Sequence, residues 1–203
     1  ILQTGAQNVP MYPTISAEDY EYILNHSEAK YCFVSDQEVY EKLKAVHANI
    51  PLLQDIFSFN EISGCKKWSD LLETGNDTAN QNDVEARKDA VLPSDLATII
   101  YTSGTSSNPK GVMLTNKSTI SNLLGAYELV KDIEIKEHRF LSIIPLSHAY
   151  EHTAGFLLPI YIGAEIYFND NRDQIVNDLQ AVKPTLMVAV PRLYELLFKK
   201  INN

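Results

Sequence analysis

The sequence is poor in cysteine, in basic residues relative to acidic ones and in long apolar runs, and each shortage removes a class of protein. Cys32 and Cys65 are its two cysteines; they stand far apart and neither belongs to a C-x-x-C pair. A disulfide framework and a cysteine-based metal site are excluded, and reduced thiols are expected. The 17 basic residues against 26 acidic ones give a net charge of -9, which disfavours electrostatic binding to nucleic acid or to an anionic membrane. The best apolar run, residues 155–164, is far shorter than the roughly 20 residues of a membrane-spanning helix, so no transmembrane segment is expected. The opening residues lack the charged region and apolar core of a signal peptide. There is no internal repeat and no low-complexity tract. A cytoplasmic protein is the expectation from these features.

What is present is enough apolar residue, 45% of a chain of 203, for one large domain or two small ones with a sizeable core. The chain opens on Ile1 rather than methionine and stops at Asn203 directly after an amphipathic stretch, so a piece of a larger protein is expected.

The pattern along the chain alternates. Ser16 and Asp19 form a capping pattern ahead of Tyr20, Ile23 and Leu24 at helical spacing, which predicts a helix over 17–27. A short β-rich strand is predicted over 31–34, then a helix opened by Asp36 with Val39, Leu43 and Val46 as its buried stripe, then a strand over 54–59. Trp68, Leu71 and Leu72 mark one short helix. Residues 73–89, ETGNDTANQNDVEARKD, carry almost nothing apolar and read as a polar linker or excursion. This predicts a first α/β portion over 1–72, a linker over 73–93 and a second α/β portion over 94–203. In that second portion strands over 96–101, 112–114, 140–144, 166–168 and 186–190 alternate with helices, the last of them opened by Pro191. The fold class expected is α/β, with mainly parallel sheets flanked by helices.

Residues 101–115, YTSGTSSNPKGVMLT, follow a predicted strand and have the makings of a phosphate loop. Thr102, Ser103, Thr105, Ser106 and Ser107 supply short hydroxyl donors, Gly104 allows backbone amides to approach, and Lys110 adds positive charge. The common nucleotide pattern G-x-x-x-x-G-K-[ST] is not met, because Pro109 precedes Lys110 and Gly111 follows it. From the residues alone an ordinary Ser/Gly-rich turn between strands remains an alternative. In a chain of net charge -9, an anionic phosphate ligand has to be held by local geometry.

A second cluster lies in FLSIIPLSHAYEH, residues 140–152. It sets Ser147, His148, Tyr150, Glu151 and His152 at the end of a predicted strand, where α/β proteins place ligands. Ser147 is suited to cap the helix that follows, and His148 can be a cap satisfied by backbone. His148, Glu151 and His152 also satisfy H-x-x-E-H, the zinc motif of inverzincin proteases, which needs a further acidic ligand such as Glu195 or Asp178. For Tyr150, Glu151 and His152, packing or a structural ion pair competes with a functional role.

The loop YTSGTSSNPKGV resembles the phosphate loop of the acyl-adenylate-forming enzymes, the AMP-binding superfamily of acyl-CoA synthetases, luciferases and nonribosomal-peptide adenylation domains. That loop usually reads YTSGTTGxPKGV, so Ser106 replaces threonine and Ser107 replaces glycine. A serine at a position of positive φ costs about 1 kcal/mol. PLSHAYE resembles the LPLSHxxE segment of the long-chain fatty acid branch, at the spacing from the loop seen there. PTLMVAVPRLYELLFKKINN, residues 184–203, and Met11-Tyr12-Pro13-Thr14 resemble further family segments, both read as architecture, with Arg192 a solvated charge.

The resemblance implies part of the N-terminal domain of an ATP-dependent acyl-CoA synthetase, acting on a long-chain fatty acid with ATP, Mg²⁺ and coenzyme A. It implies phosphate binding by residues 102–107, Lys110 and Gly111, a Mg²⁺ contact at Thr105, catalytic roles for Lys110 and His148, and Tyr150 and Glu151 in the vicinity of the acyl site. The adenine-binding motif, the ribose-binding aspartate, the hinge and the catalytic lysine of the family would lie beyond Asn203, so the remaining C-terminal part of the same polypeptide is an expected partner and the 203-residue piece is expected to be inactive alone. Nucleic acid is not an expected partner; peripheral membrane contact is left open. A nucleotide-binding or acyl-binding module without chemistry is the alternative.

Overall fold

The computed structural model describes residues 1–76, 78–102, 108–133 and 137–201, and these fall into two units, Ile1–Asn116 and Lys117–Asn203. In the first, local capping starts both early helices. The Ser16 hydroxyl accepts the Asp19 amide at 3.1 Å to open α1 (Ala17–His26), and Asp36 Oδ1 accepts the Val39 amide at 3.0 Å to open α2 (Gln37–Val46). Between and after them run β1 (Tyr31–Val34), β2 (Asp55–Ser58) and the two-residue β3 (Lys66–Lys67), all parallel in the order β1-β2-β3. The predicted stripe of Val39, Leu43 and Val46 is buried, with Tyr40 beside it, against Tyr20, Leu24, Val34 and Ile56. Met11 packs on this core, and the Tyr20 hydroxyl donates to the Tyr12 carbonyl at 3.0 Å, which ties the 11–14 stretch down. Cys32 sits inside the core, where burial pushes its thiol up to about 12, and it is a packing residue rather than a nucleophile.

The polar stretch after α3 (Ser69–Gly75) forms a helix of its own, α4 (Gln81–Asp89), no residue of which is buried. Surface pairs support it: Gln81 donates to Glu85 at 3.0 Å, and Lys88 and Glu85 pair at 2.8 Å. β4 (Leu96–Thr102) and β5 (Lys110–Thr115) form an antiparallel hairpin, the exception to the parallel order expected. The connection explains it, since a parallel return takes about a dozen residues or more.

In the second unit, entered along α5 (Asn116–Val130), β6 (Arg139–Ser142) is the central strand between β7 (Glu165–Phe168) and β8 (Leu186–Met187), all parallel. α6 (Leu158–Ile162), α7 (Ile175–Val182) and α8 (Pro191–Ile201) alternate with them, and Pro191 is the first helical residue, as predicted. Leu141, Ile143, Ile175 and Leu197 make the core. Between β6 and α6 lies a π-helical segment, Glu151–Leu157, which periodicity did not predict. The architecture is α/β with mainly parallel sheets and flanking helices. Among the described residues no helix is long and apolar enough to cross a membrane.

Candidate functional site

The candidate residues fall into two groups, one in each unit. In the first unit the ladder of β4 and β5 pairs Thr102 directly with Lys110 and Tyr101 with Gly111. Thr102 and Lys110 are therefore neighbours at the mouth of the loop, both exposed. Ser103, Gly104, Thr105, Ser106 and Ser107 lie outside the described residues. Gly111 owes its identity to its surroundings: a Cβ there would lie 2.9 Å from Ile99 Cγ2 and 3.2 Å from the Tyr101 ring. The Tyr101 ring thus covers the glycine, and its hydroxyl sits 2.7 Å from His26 Nδ1 at the end of α1. His26 thus braces the loop end of the hairpin, a position no local sequence signal marks.

In the second unit the loop after β6 turns through Pro145 and Ser147 into the helix carrying the remaining candidates. His148 is the cap: its Nδ1 accepts the Tyr150 amide at 3.3 Å, and its carbonyl accepts the His152 amide at 2.9 Å. With Nδ1 accepting, the neutral ring carries its proton on Nε2, leaving an exposed donor able to meet developing negative charge. Ser147, expected as the cap, is instead 5% exposed, and its hydroxyl has no hydrogen-bond partner. Tyr150 is exposed. Glu151 is fully buried; burial pushes its carboxyl above the usual carboxylate range, against a smaller opposing pull from the Ser142 hydroxyl, yet neither carboxyl oxygen meets a partner in hydrogen-bonding geometry. His152 is also buried, its Nδ1 has no partner, and burial pulls it below the ordinary histidine range. The C-terminal ends of β6 and β7 border a cavity of about 240 Å³ lined by Ser142, Ile143, Pro145, Leu146, Phe168 and Asn169.

The zinc reading of H-x-x-E-H does not survive this geometry. His148 is exposed with Nδ1 engaged by backbone, whereas Glu151 and His152 are buried. Asp178, one suggested further ligand, accepts from Asn169 at 2.6 Å, and the other, Glu195, is exposed on α8. Among the described residues no group of three or more His, Cys, Asp or Glu can hold a metal ion. The residue that sequence reasoning passed over here is Gly155, where a Cβ would overlap the Glu151 carboxyl outright. Its trace in the sequence is a glycine four residues after a glutamate within one helical run.

Comparison with known proteins agrees across the whole chain. A model of the AMP-binding enzyme family matches residues 1–203. Long chain acyl-CoA synthetase 3 of Arabidopsis thaliana is 31% identical over 210 residues, covering 96% of this chain and 30% of that protein. Fatty acyl-CoA synthetase A of Dictyostelium discoideum is 32% identical over 204 residues, covering 95% of this chain and 29% of that protein. The chain thus spans about a third of the length of the curated relatives it matches. Among solved structures, a mutant form of coronafacic acid ligase from Pectobacterium brasiliense superposes with a TM-score of 0.79 at 17% identity, covering 100% of this chain and 39% of that one. A red-emitting luciferase from Phrixothrix hirtus gives 0.76 at 18% identity, covering 95% of this chain and 37% of that one. These two likenesses show the fold.

Proposed function

Because the chain belongs to the AMP-binding enzyme family, we propose that it is part of an ATP-dependent acyl-CoA synthetase that activates a long-chain fatty acid and passes it to coenzyme A. In the first step a carboxylate oxygen attacks the α-phosphorus of ATP, the bond to the β-phosphate breaks, and pyrophosphate leaves with the electron pair. In the second, the thiol of coenzyme A attacks the acyl carbonyl carbon and AMP leaves. The observation that carries the reading is the hairpin ladder setting Thr102 opposite Lys110 across the mouth of YTSGTSSNPKGV.

In this reading the hydroxyls and amides of residues 102–107, with Lys110 and Gly111, grip the β- and γ-phosphates, and Lys110 neutralises the departing pyrophosphate. His148 donates through Nε2 to charge developing beside the carboxylate, and Tyr150 and Glu151 belong to the surroundings of the acyl site. Mg²⁺ accompanies ATP, with Thr105 its contact; Thr105 lies outside the described residues, and no step is routed through the ion. The continuation of the polypeptide supplies what adenine, ribose and coenzyme A need, and a cytoplasmic location completes the proposal.

The test is pyrophosphate release by the full-length protein from ATP across a series of carboxylic acids of increasing chain length. Release that rises toward long chains, followed by thioester formation with coenzyme A, is the expected result. ATP binding without pyrophosphate release for any acid would mean a binding module without chemistry. The 203-residue chain alone is expected to form no thioester.

A further inference from the structure

The turn after β6 buries a carboxyl group completely. Glu151 is 0% exposed, both its oxygens are dry and without hydrogen-bond partners, and no ion pair among the described residues reaches it. An ionised carboxylate in that position would lack a compensating charge, so burial favours the protonated form, against a smaller pull from the Ser142 hydroxyl. Its placement is specific. It opens the π-helical segment Glu151–Leu157, lies in the first turn of the helix that His148 caps, and folds onto Gly155, whose missing Cβ is the space the carboxyl occupies. Both residues are buried, and the Ser142 hydroxyl at the end of β6 also acts on the carboxyl. The wide turn of a π-helix is a departure from regular helix that occurs often at functional sites and needs something to hold it.

From this we infer that Glu151 is a positioning residue for His148: its carboxyl, seated on Gly155 and against the end of β6, wedges the π-helical turn and so sets the direction in which the capping imidazole presents Nε2. The inference rests on the proposed role of His148 in acid activation. Glu151 touches no reactant in it and acts through the turn. The glycine is as much a part of the device as the glutamate, since any side chain at position 155 displaces the wedge.

The experiment is a set of mutant cycles on the full-length protein, read as acid-dependent pyrophosphate release. Glu151→Ala is expected to lower kcat about tenfold or more while the KM for ATP moves less than about threefold, and Gly155→Ala to reproduce that loss. Glu151→Gln, of the same shape and neutral at every pH, is expected to rescue the rate to within about threefold of the native protein without moving its pH profile. Combining Glu151→Ala with His148→Ala should leave the rate no lower than His148→Ala alone, because both changes remove one contribution. A glutamine variant as slow as the alanine variant would show that an ionisable group is needed, and losses that multiply in the Glu151/His148 pair would show independent action; either overturns the inference. If the alanine variants fail to fold, the glutamine variant's rate and pH profile still decide. If the native protein releases pyrophosphate with no acid, the functional reading falls while the seat is judged separately: Gly155→Ala should then lower the unfolding midpoint in the native background and have little effect beside Glu151→Ala, and equal losses in both backgrounds would refute the seat.

Discussion

The hairpin of β4 and β5 and the turn from Ser147 to Gly155 treat their polar groups in opposite ways. In the hairpin Thr102 and Lys110 face water, which satisfies them at no cost until a ligand arrives. In the turn Ser147, Glu151 and His152 are dry, and hydroxyl, carboxyl and imidazole atoms there go without partners. Each such atom costs about 1–3 kcal/mol. Under the proposed function, the difference separates two kinds of site residue. Those at the mouth of the loop are expected to be exchangeable with little effect on folding, whereas Ser147, Glu151 and His152 are bound into the packing, so changing them is expected to move stability.

The largest effect expected on that contrast is at Gly155. Gly155→Ala forces a methyl group into the Glu151 carboxyl and should destabilise the chain by about 1–3 kcal/mol, measured as a shift of the urea unfolding midpoint; an unmoved midpoint would break the contrast. Lys110→Ala comes next. It should slow pyrophosphate release by the full-length protein about tenfold, about 1.4 kcal/mol in the barrier, while stability changes by less than about 0.5 kcal/mol. A fall in the unfolding midpoint alongside the rate would show that the mouth of the loop is tied into the fold as well. Asp36→Ala, remote from both regions in sequence, gives a yardstick: loss of the bond to the Val39 amide should cost about 1 kcal/mol and leave catalysis alone.

The smallest expected effect depends on pH. Glu151 titrates above its ordinary value of 4.5 in the folded chain, so its contribution to stability is full below that value and is lost as pH rises through the raised one. Glu151→Gln carries no such loss, and its stability relative to the native chain should improve as pH climbs from about 4.5. His152, held below 6.5 by burial, acts in the other direction, losing stability as pH falls through its lowered value. It is present in both proteins, so the difference between their urea midpoints across pH isolates Glu151. A constant difference would mean that the carboxyl is not held neutral.

Much of the fold was legible because its signals are local. Ser16 and Asp36 announce helices through bonds to amides three residues on, and Val39, Leu43 and Val46 bury one face at helical spacing. The failures have common causes. The strand expected over 186–190 contracts to Leu186–Met187 because only these two residues find partners, Phe140 and Leu141, on β6. The polar stretch over 73–89 reads as linker or excursion because it has almost nothing apolar to bury, and α4 forms there, supported by pairs along its surface. At the site, the loop was readable as a motif. The cap falls to His148 rather than to Ser147, since which of the two caps the helix depends on where the chain leaves β6.

The order of hydroxyls, glycines and Lys110 around Pro109, the helix starts and the alternation of strand and helix all depend on residues within a few positions of one another, and so they are written along the chain. Exposure is not. Glu151 and Glu195 are the same residue type on helical segments of the same unit, one fully buried and one exposed, because a strand ends against the first and nothing of the kind covers the second. The same holds for Gly111 under Tyr101 and for Gly155 under Glu151: the need for a missing side chain arises only once another residue has been folded into its place. Packing sets which polar groups of the turn are dry and which stay exposed.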